Sequence, residues 1–149
     1  MKGFLIALSV LLMTACSTSK QASPTEDQVV QNESGVSEGS TLPPGFKEIT
    51  RAPLTAADGH EVIVSDVTIE PNTTVPRHYH PGEEFVYVIE GSVVHVEEGK
   101  ADRILRAGDA VTLAPEVEHA PRGTEEGGRV VVFHVHPEGT PERTFVEDE

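Results

Sequence analysis

Tryptophan is absent from the 149 residues, and all aromatic residues together make up only 5% of them. A stacking platform for sugar rings or nucleobases would have to come from very few positions, which disfavours carbohydrate-binding modules and single-strand binders. Basic residues are scarce as well: 11 Lys and Arg stand against 25 Asp and Glu, a formal charge of −14, with no basic run to act as a local exception. Such a field repels phosphate backbones, so no nucleic-acid partner is expected. There is one cysteine. An internal disulfide is therefore excluded, and apolar burial, hydrogen bonds or a metal must hold the fold together. The length suits one domain with an appendage and argues against two full domains.

The appendage is read at the N-terminus. Lys2 precedes an apolar run over residues 3–13, too short to cross roughly 30 Å of hydrocarbon but suited to the apolar core of a signal peptide. The following Leu12-Met13-Thr14-Ala15-Cys16-Ser17 resembles the bacterial lipobox, with Met13 where Leu is usual. That resemblance implies a signal peptide over 1–15, lipidation of Cys16, and residence in the bacterial cell envelope through a lipid anchor. Ser17 after the cysteine favours the periplasmic side of the outer membrane in a Gram-negative source. Acyl chains at one residue satisfy the two-signal requirement for stable anchoring. The Ser-, Thr-, Gln- and Glu-rich stretch that follows has no apolar period, so 16–41 reads as a lipidated disordered tether and 42–149 as the folded domain.

In that domain short β-branched runs alternate with turn residues, the rhythm of an all-β sandwich or barrel. Strands are expected over 46–51, 61–70, 84–90, 92–97, 103–105, 110–113 and 129–136. Turns are expected at Asp58-Gly59, Pro71-Asn72, Pro81-Gly82, Glu90-Gly91, Glu98-Gly99, Ala107-Gly108 and Gly127-Gly128. Runs such as Phe85-Val86-Tyr87-Val88-Ile89 and Val130-Val131-Val132-Phe133 are apolar on both faces, which implies two packed sheets or a closed barrel.

Two metal ligands on one strand must be two residues apart to face the same side. His78-Tyr79-His80 meets that condition, and Glu84, beyond the Pro81-Gly82 turn, is positioned to fold its carboxylate over both imidazoles. His119, after the 110–113 strand, is the candidate fourth ligand. Three neutral imidazoles and one carboxylate would leave a divalent ion with net charge +1 and open positions. Arg77 and Tyr79 take the opposite face, and Glu83 should be solvated. His134 and His136 form a second His-x-His without a matching carboxylate; His134 is a candidate pocket residue, and His136, beside Pro137, is expected at the rim. His60 and His95 lack ligand partners and read as ordinary strand or turn residues.

The spacing His78-x-His80, three residues, Glu84, six residues, Gly91 resembles the first motif of the cupin superfamily, with Asn72 where the motif opens on glycine. Gly108 to His119 keeps the interval of the second motif, although Pro115 is displaced by one place, Glu116 stands for a glycine and Gly123 for an asparagine. The resemblance extends over about Thr50 to Val146 and is to small single-domain cupins of type 2. It implies an all-β, single-domain cupin: a double-stranded β-helix, or jelly-roll-like barrel. It also implies one divalent ion (Fe, Mn, Ni, Cu or Zn) on His78, His80, Glu84 and His119, with Glu84 doubling as catalytic proton acceptor. Oxidation, isomerisation or lyase chemistry on an oxygen-rich small molecule follows as the expected activity. The alternative is a non-catalytic cupin that binds or senses a small ligand or metal ion. A homodimer through sheet edges is the family-based expectation.

Overall fold

The computed structural model describes residues 44–147. The expected signal segment, Cys16 and the tether to residue 41 lie outside the described residues.

Alternating burial builds the domain. Along β2 (His60–Ile69) the odd-numbered residues from Glu61 to Ile69 turn inward and the others outward, the period of a strand with one face on a core. β7 (Arg122–Pro137) presents Val130, Val132, His134 and His136 inward in the same way. β7 pairs with β2 on one side and with β4 (Glu83–His95) on the other, and β1 (Phe46–Pro53) extends the sheet beyond β2. The far edge of β4 is shared between β6 (Ala110–Leu113) on its first half and β5 (Arg103–Arg106) on its second. β3 (His78–Tyr79) and β8 (Thr144–Phe145) make a separate two-stranded sheet. All these pairings are antiparallel, and there is no helix among the described residues. Val67, Ile69, Val75, Val88, Val93, Leu105, Val130 and Val132 form the apolar core.

Two expectations need correction. Glu90-Gly91 and Gly127-Gly128 are not turns. They lie inside the long strands β4 and β7, where Gly91 pairs with Gly128 and the register shifts on either side of Gly91. A Cβ on Gly91 would sit 2.2 Å from the carbonyl oxygen of Gly127, and its φ is 66°. Only glycine allows this close crossing, so the pair bends both strands instead of ending them. The barrel, in turn, is not closed by strand pairing. The main ladder ends at β1 and β5, and isolated bridges His78–His119, Glu97–His119 and Thr74–Arg122 carry the remaining contacts. Pro76, Pro81, Pro115 and Pro121 flank the bridging histidines, and without N–H groups they interrupt any continuous ladder. The outward side chains Phe85, Tyr87 and Phe133 stay exposed on the outer face of β4 and β7.

Candidate metal centre

Each histidine of the site is placed by backbone pairing. The N–H of His78 donates to the carbonyl of His119 at 3.0 Å, and the N–H of His119 returns the bond at 2.9 Å. The two segments that carry His78 and His119 are thereby clamped face to face. His80 accepts at its carbonyl from the N–H of Glu116 at 2.8 Å. Glu116 has a φ of 62°, so it occupies, as a non-glycine residue, the left-handed conformation that its motif normally gives to glycine. Asn72, with φ 58°, does the same at the first motif's opening turn. Glu84 lies opposite His134 in the β4–β7 register and turns inward with it.

The imidazoles are fixed from behind. Nδ1 of His78 donates to the carbonyl of Pro76 at 2.7 Å, Nδ1 of His80 to Glu142 at 2.6 Å, and Nδ1 of His119 to Val117 at 2.9 Å. Because a carbonyl can only accept, each Nδ1 carries the proton and each Nε2 is the basic nitrogen. Backbone tethering of the distal ring nitrogen is how proteins orient metal-binding histidines. One ligand atom from each of these three histidines lies within 4.8 Å of the others, and His80, Glu84 and His134 form a second such group. Glu84 Oε2 is 3.1 Å from His119 Nε2 and 3.7 Å from His80 Nε2; its Oε1 is 3.7 Å from His134 Nε2.

All five side chains are buried, yet among the described residues His80 Nε2, His119 Nε2, Glu84 Oε2 and both His134 ring nitrogens have no hydrogen-bond partner. The close His119–Glu84 approach is off-axis for a hydrogen bond. Buried polar atoms without partners are rare and costly, about 1–3 kcal/mol each. A set of convergent basic nitrogens with one carboxylate is the donor set that a divalent cation satisfies, so these residues fit the ion.

The electrostatics agree. Burial, helped by repulsion from His119, pushes His78 down to about 4, and burial pushes His80 down to about 3, so both are neutral near pH 7. Burial alone would raise the Glu84 carboxyl, but contact with His119 and His134 holds it well below the usual carboxylate range. His119 is raised, because the attraction of Glu84 outweighs burial. A cation at the cluster would compete with protons for the His119 nitrogen, so its binding should weaken as pH falls.

A cavity of about 40 Å³ adjoins the cluster. It has room for a few water-sized groups, at about 10–15 Å³ each. Its walls are apolar, from residues such as Val67, Ile69, Val75, Val93 and Val132, and its other polar members are His95 and Arg143. His95 was expected to be an ordinary strand residue. It is buried, and its Nε2 lies 3.0 Å from Oε2 of Glu97. The signal was in the strand period: Val93, His95 and Glu97 follow at intervals of two on one inward face. The C-terminal segment was also missed. Besides holding His80, Glu142 places Oε1 3.3 Å from His134 Nδ1 and 2.5 Å from Arg143 Nη2. No local pattern marks that segment, since its partners lie far away in sequence.

The remaining histidines separate clearly. His134 lines the cavity, its ring 4.1 Å from that of His80. His136 is not at a rim: it is 1% exposed, beneath a loop whose Thr140 hydroxyl lies 3.0 Å from its Nδ1. Gly82 permits this, because a Cβ there would meet the Cβ of His136 at 2.6 Å. His60 and Glu83 are exposed, Tyr79 is half-buried, and Arg77 pairs with Glu118 at 2.8 Å.

An antiparallel double-stranded β-helix with imidazoles and a carboxylate converging inside it defines a class of small β domains with an internal site. Residues 65–136 match the family model described as a cupin domain, and the chain carries a small domain of the cupin superfamily. Among curated proteins it is similar to protein SchB of Streptomyces halstedii, 34% identical over 46% of this chain and 50% of that protein. It is also similar to 3-hydroxyanthranilate 3,4-dioxygenase of Shewanella woodyi, 38% identical over 46% of this chain and 39% of that protein. The chain thus spans half or less of the length of these relatives. Among solved structures, a cupin-like protein from Thermotoga maritima superposes with a TM-score of 0.53 at 22% identity, covering 69% of this chain and 75% of that one. The DMSP lyase DddQ from Ruegeria pomeroyi does so with a TM-score of 0.52 at 23% identity, covering 62% and 47%. At these identities the structures speak for the fold alone.

Proposed function

We propose that the domain binds one divalent metal ion through His78, His80, Glu84 and His119 and acts on an oxygen-rich small molecule beside it, by oxidation, isomerisation or lyase chemistry. The observation that carries this reading is the grouping of three imidazoles, each tethered through Nδ1 to a backbone carbonyl and with ligand atoms within 4.8 Å of one another, beside a buried carboxylate that lies 3.7 Å from His80 Nε2 and 3.1 Å from His119 Nε2. When bound, such an ion supplies Lewis acidity toward a ligand oxygen. His78 and His80, neutral at working pH, supply basic nitrogens; Glu84 supplies charge and a proton-accepting oxygen; His134, across the ladder from Glu84, lines the space where the ligand would lie. The apolar walls exclude bulk water. A dioxygenase among the curated relatives favours turnover over simple capture, whereas a binder or sensor would use the same donors without it.

Elemental analysis of the soluble domain tests the metal. About one equivalent per chain is expected in the parent and nearly none in a His78→Ala/His80→Ala variant; no stoichiometric metal in the parent after growth in metal-sufficient medium would sink the reading. The envelope anchor is proposed from the motif at Cys16 alone, and Cys16→Ser should release the protein from membranes or leave it unprocessed. Normal cleavage with unchanged membrane partitioning would contradict it.

A further inference from the structure

We propose that Arg143 is the specificity residue of the cavity and that it selects a small carboxylate, its guanidinium taking the carboxylate of a ligand whose other oxygens face the histidine cluster. This rests on the reading of the cavity as a ligand site.

Among the described residues, Arg143 is the only Lys or Arg that lines the cavity. Its side chain is 8% exposed. A buried guanidinium is normally paired over most of its five N–H groups, because it cannot shed its charge. Here Nη2 is taken by Glu142 at 2.5 Å, while Nη1 is buried with no hydrogen-bond partner among the described residues. The ring of Phe46, also a cavity wall, lies 4.4 Å from Cζ and holds the guanidinium by cation–π contact. The head group is therefore fixed on two sides while one buried nitrogen keeps its hydrogen-bonding capacity unused, a donor that the oxygen of a ligand entering the cavity would satisfy.

Glu142 ties this arrangement to the metal cluster. Its carbonyl orients His80 and its carboxylate lies between His134 and Arg143. β8, directly beyond, pairs with β3, which carries His78. One short segment thus sets the distance between guanidinium and histidines. A cation at the cluster and Arg143 together would make the cavity positive inside a protein of formal charge −14, and an anion is the ligand that such a pocket desolvates at least cost. The cavity volume restricts that anion to a few heavy atoms, and the planar fork of arginine matches a carboxylate.

Glycolate and its neutral counterpart glycolamide test the assignment by NMR titration of the zinc-loaded and the metal-free domain, with zinc content measured in parallel. Glycolate should bind the parent at least tenfold more tightly than glycolamide. Arg143→Gln should abolish the preference in the metal-free domain and cut it severalfold in the zinc-loaded one with zinc content unchanged, and Arg143→Lys should retain part of it. A parent without the preference, or a folded Arg143→Gln that keeps it in full, would overturn the proposal. If zinc fails to bind, the metal reading falls separately, and the metal-free titration still decides the role of Arg143. Should Arg143→Gln not fold, the parent's ratio and the partial loss in Arg143→Lys carry the decision, and a lysine variant with an undiminished ratio would overturn it.

Discussion

His134 and His136 stand two residues apart on the same inward face of β7, yet they belong to different buried clusters. His134 joins His78, His80, His119 and Glu84 beside the cavity. His136 joins Glu61, whose Oε1 is 3.5 Å from its Nε2, and Thr140. The residue types are alike; the state of the carboxylate differs. Glu61 is already neutralised by Arg51 at 2.7 Å, and Arg51 also holds Glu48 at 3.0 Å. Among the described residues, the ion-pair partners of Glu84 are histidines: His80, His119 and His134. A buried carboxylate paired to arginine completes a structural network, whereas one that faces several basic nitrogens leaves charge for a cation to balance.

The comparison breaks most readily at the carboxylates. Glu84→Ala should lower metal affinity on the order of a thousandfold, beyond the roughly 10–100-fold that outer partners cost, while Glu61→Ala should leave metal content unchanged; competition with a chromogenic chelator measures both. Next in size is acid sensitivity. The folded values of His78 and His80 lie below the ordinary 6.5, at about 4 and about 3. Neutral burial is therefore fully tolerated above pH 6.5, and stability is lost as pH falls from there toward 3. Metal-free protein should lose stability across this window, the displacement of His78 alone being worth about 3 kcal/mol at about 1.4 kcal/mol per pH unit, and His78→Ala/His80→Ala should flatten the curve in denaturant titrations.

At the other cluster, Arg51→Met should cost about 1–3 kcal/mol of folding stability by stranding Glu61, with metal content intact; loss of metal would erase the distinction between the two sites. The smallest effect is expected at Glu116. Relief of its left-handed backbone, set against the greater unfolded freedom of glycine, should make Glu116→Gly more stable by about 0.5–1 kcal/mol, read as a raised Tm.

The histidine pair at 78 and 80 was legible because strand period and motif spacing coincide there, and the 110–113 strand was legible to the residue. The glycines at 91 and 128 misled, since a glycine that bends two facing strands carries the same local signature as one that makes a turn; only the pairing separates them. His136 was misplaced because neighbouring Pro137 signals an element's end, whereas its burial depends on Gly82, remote in sequence. Glu142 and Arg143 were invisible for the same reason: nothing near them shows that the chain returns across the histidine cluster.

Anomalous diffraction from a crystal of the metal-loaded domain, recorded at the absorption edge of the ion that elemental analysis identifies, tests the central claim most directly. The account predicts one peak per chain within about 2.0–2.2 Å of Nε2 of His78, His80 and His119 and of a Glu84 carboxylate oxygen, if the ion is zinc. A peak at His136 and Glu61, or no peak at the cavity in a crystal whose protein retains one equivalent of metal, would contradict it.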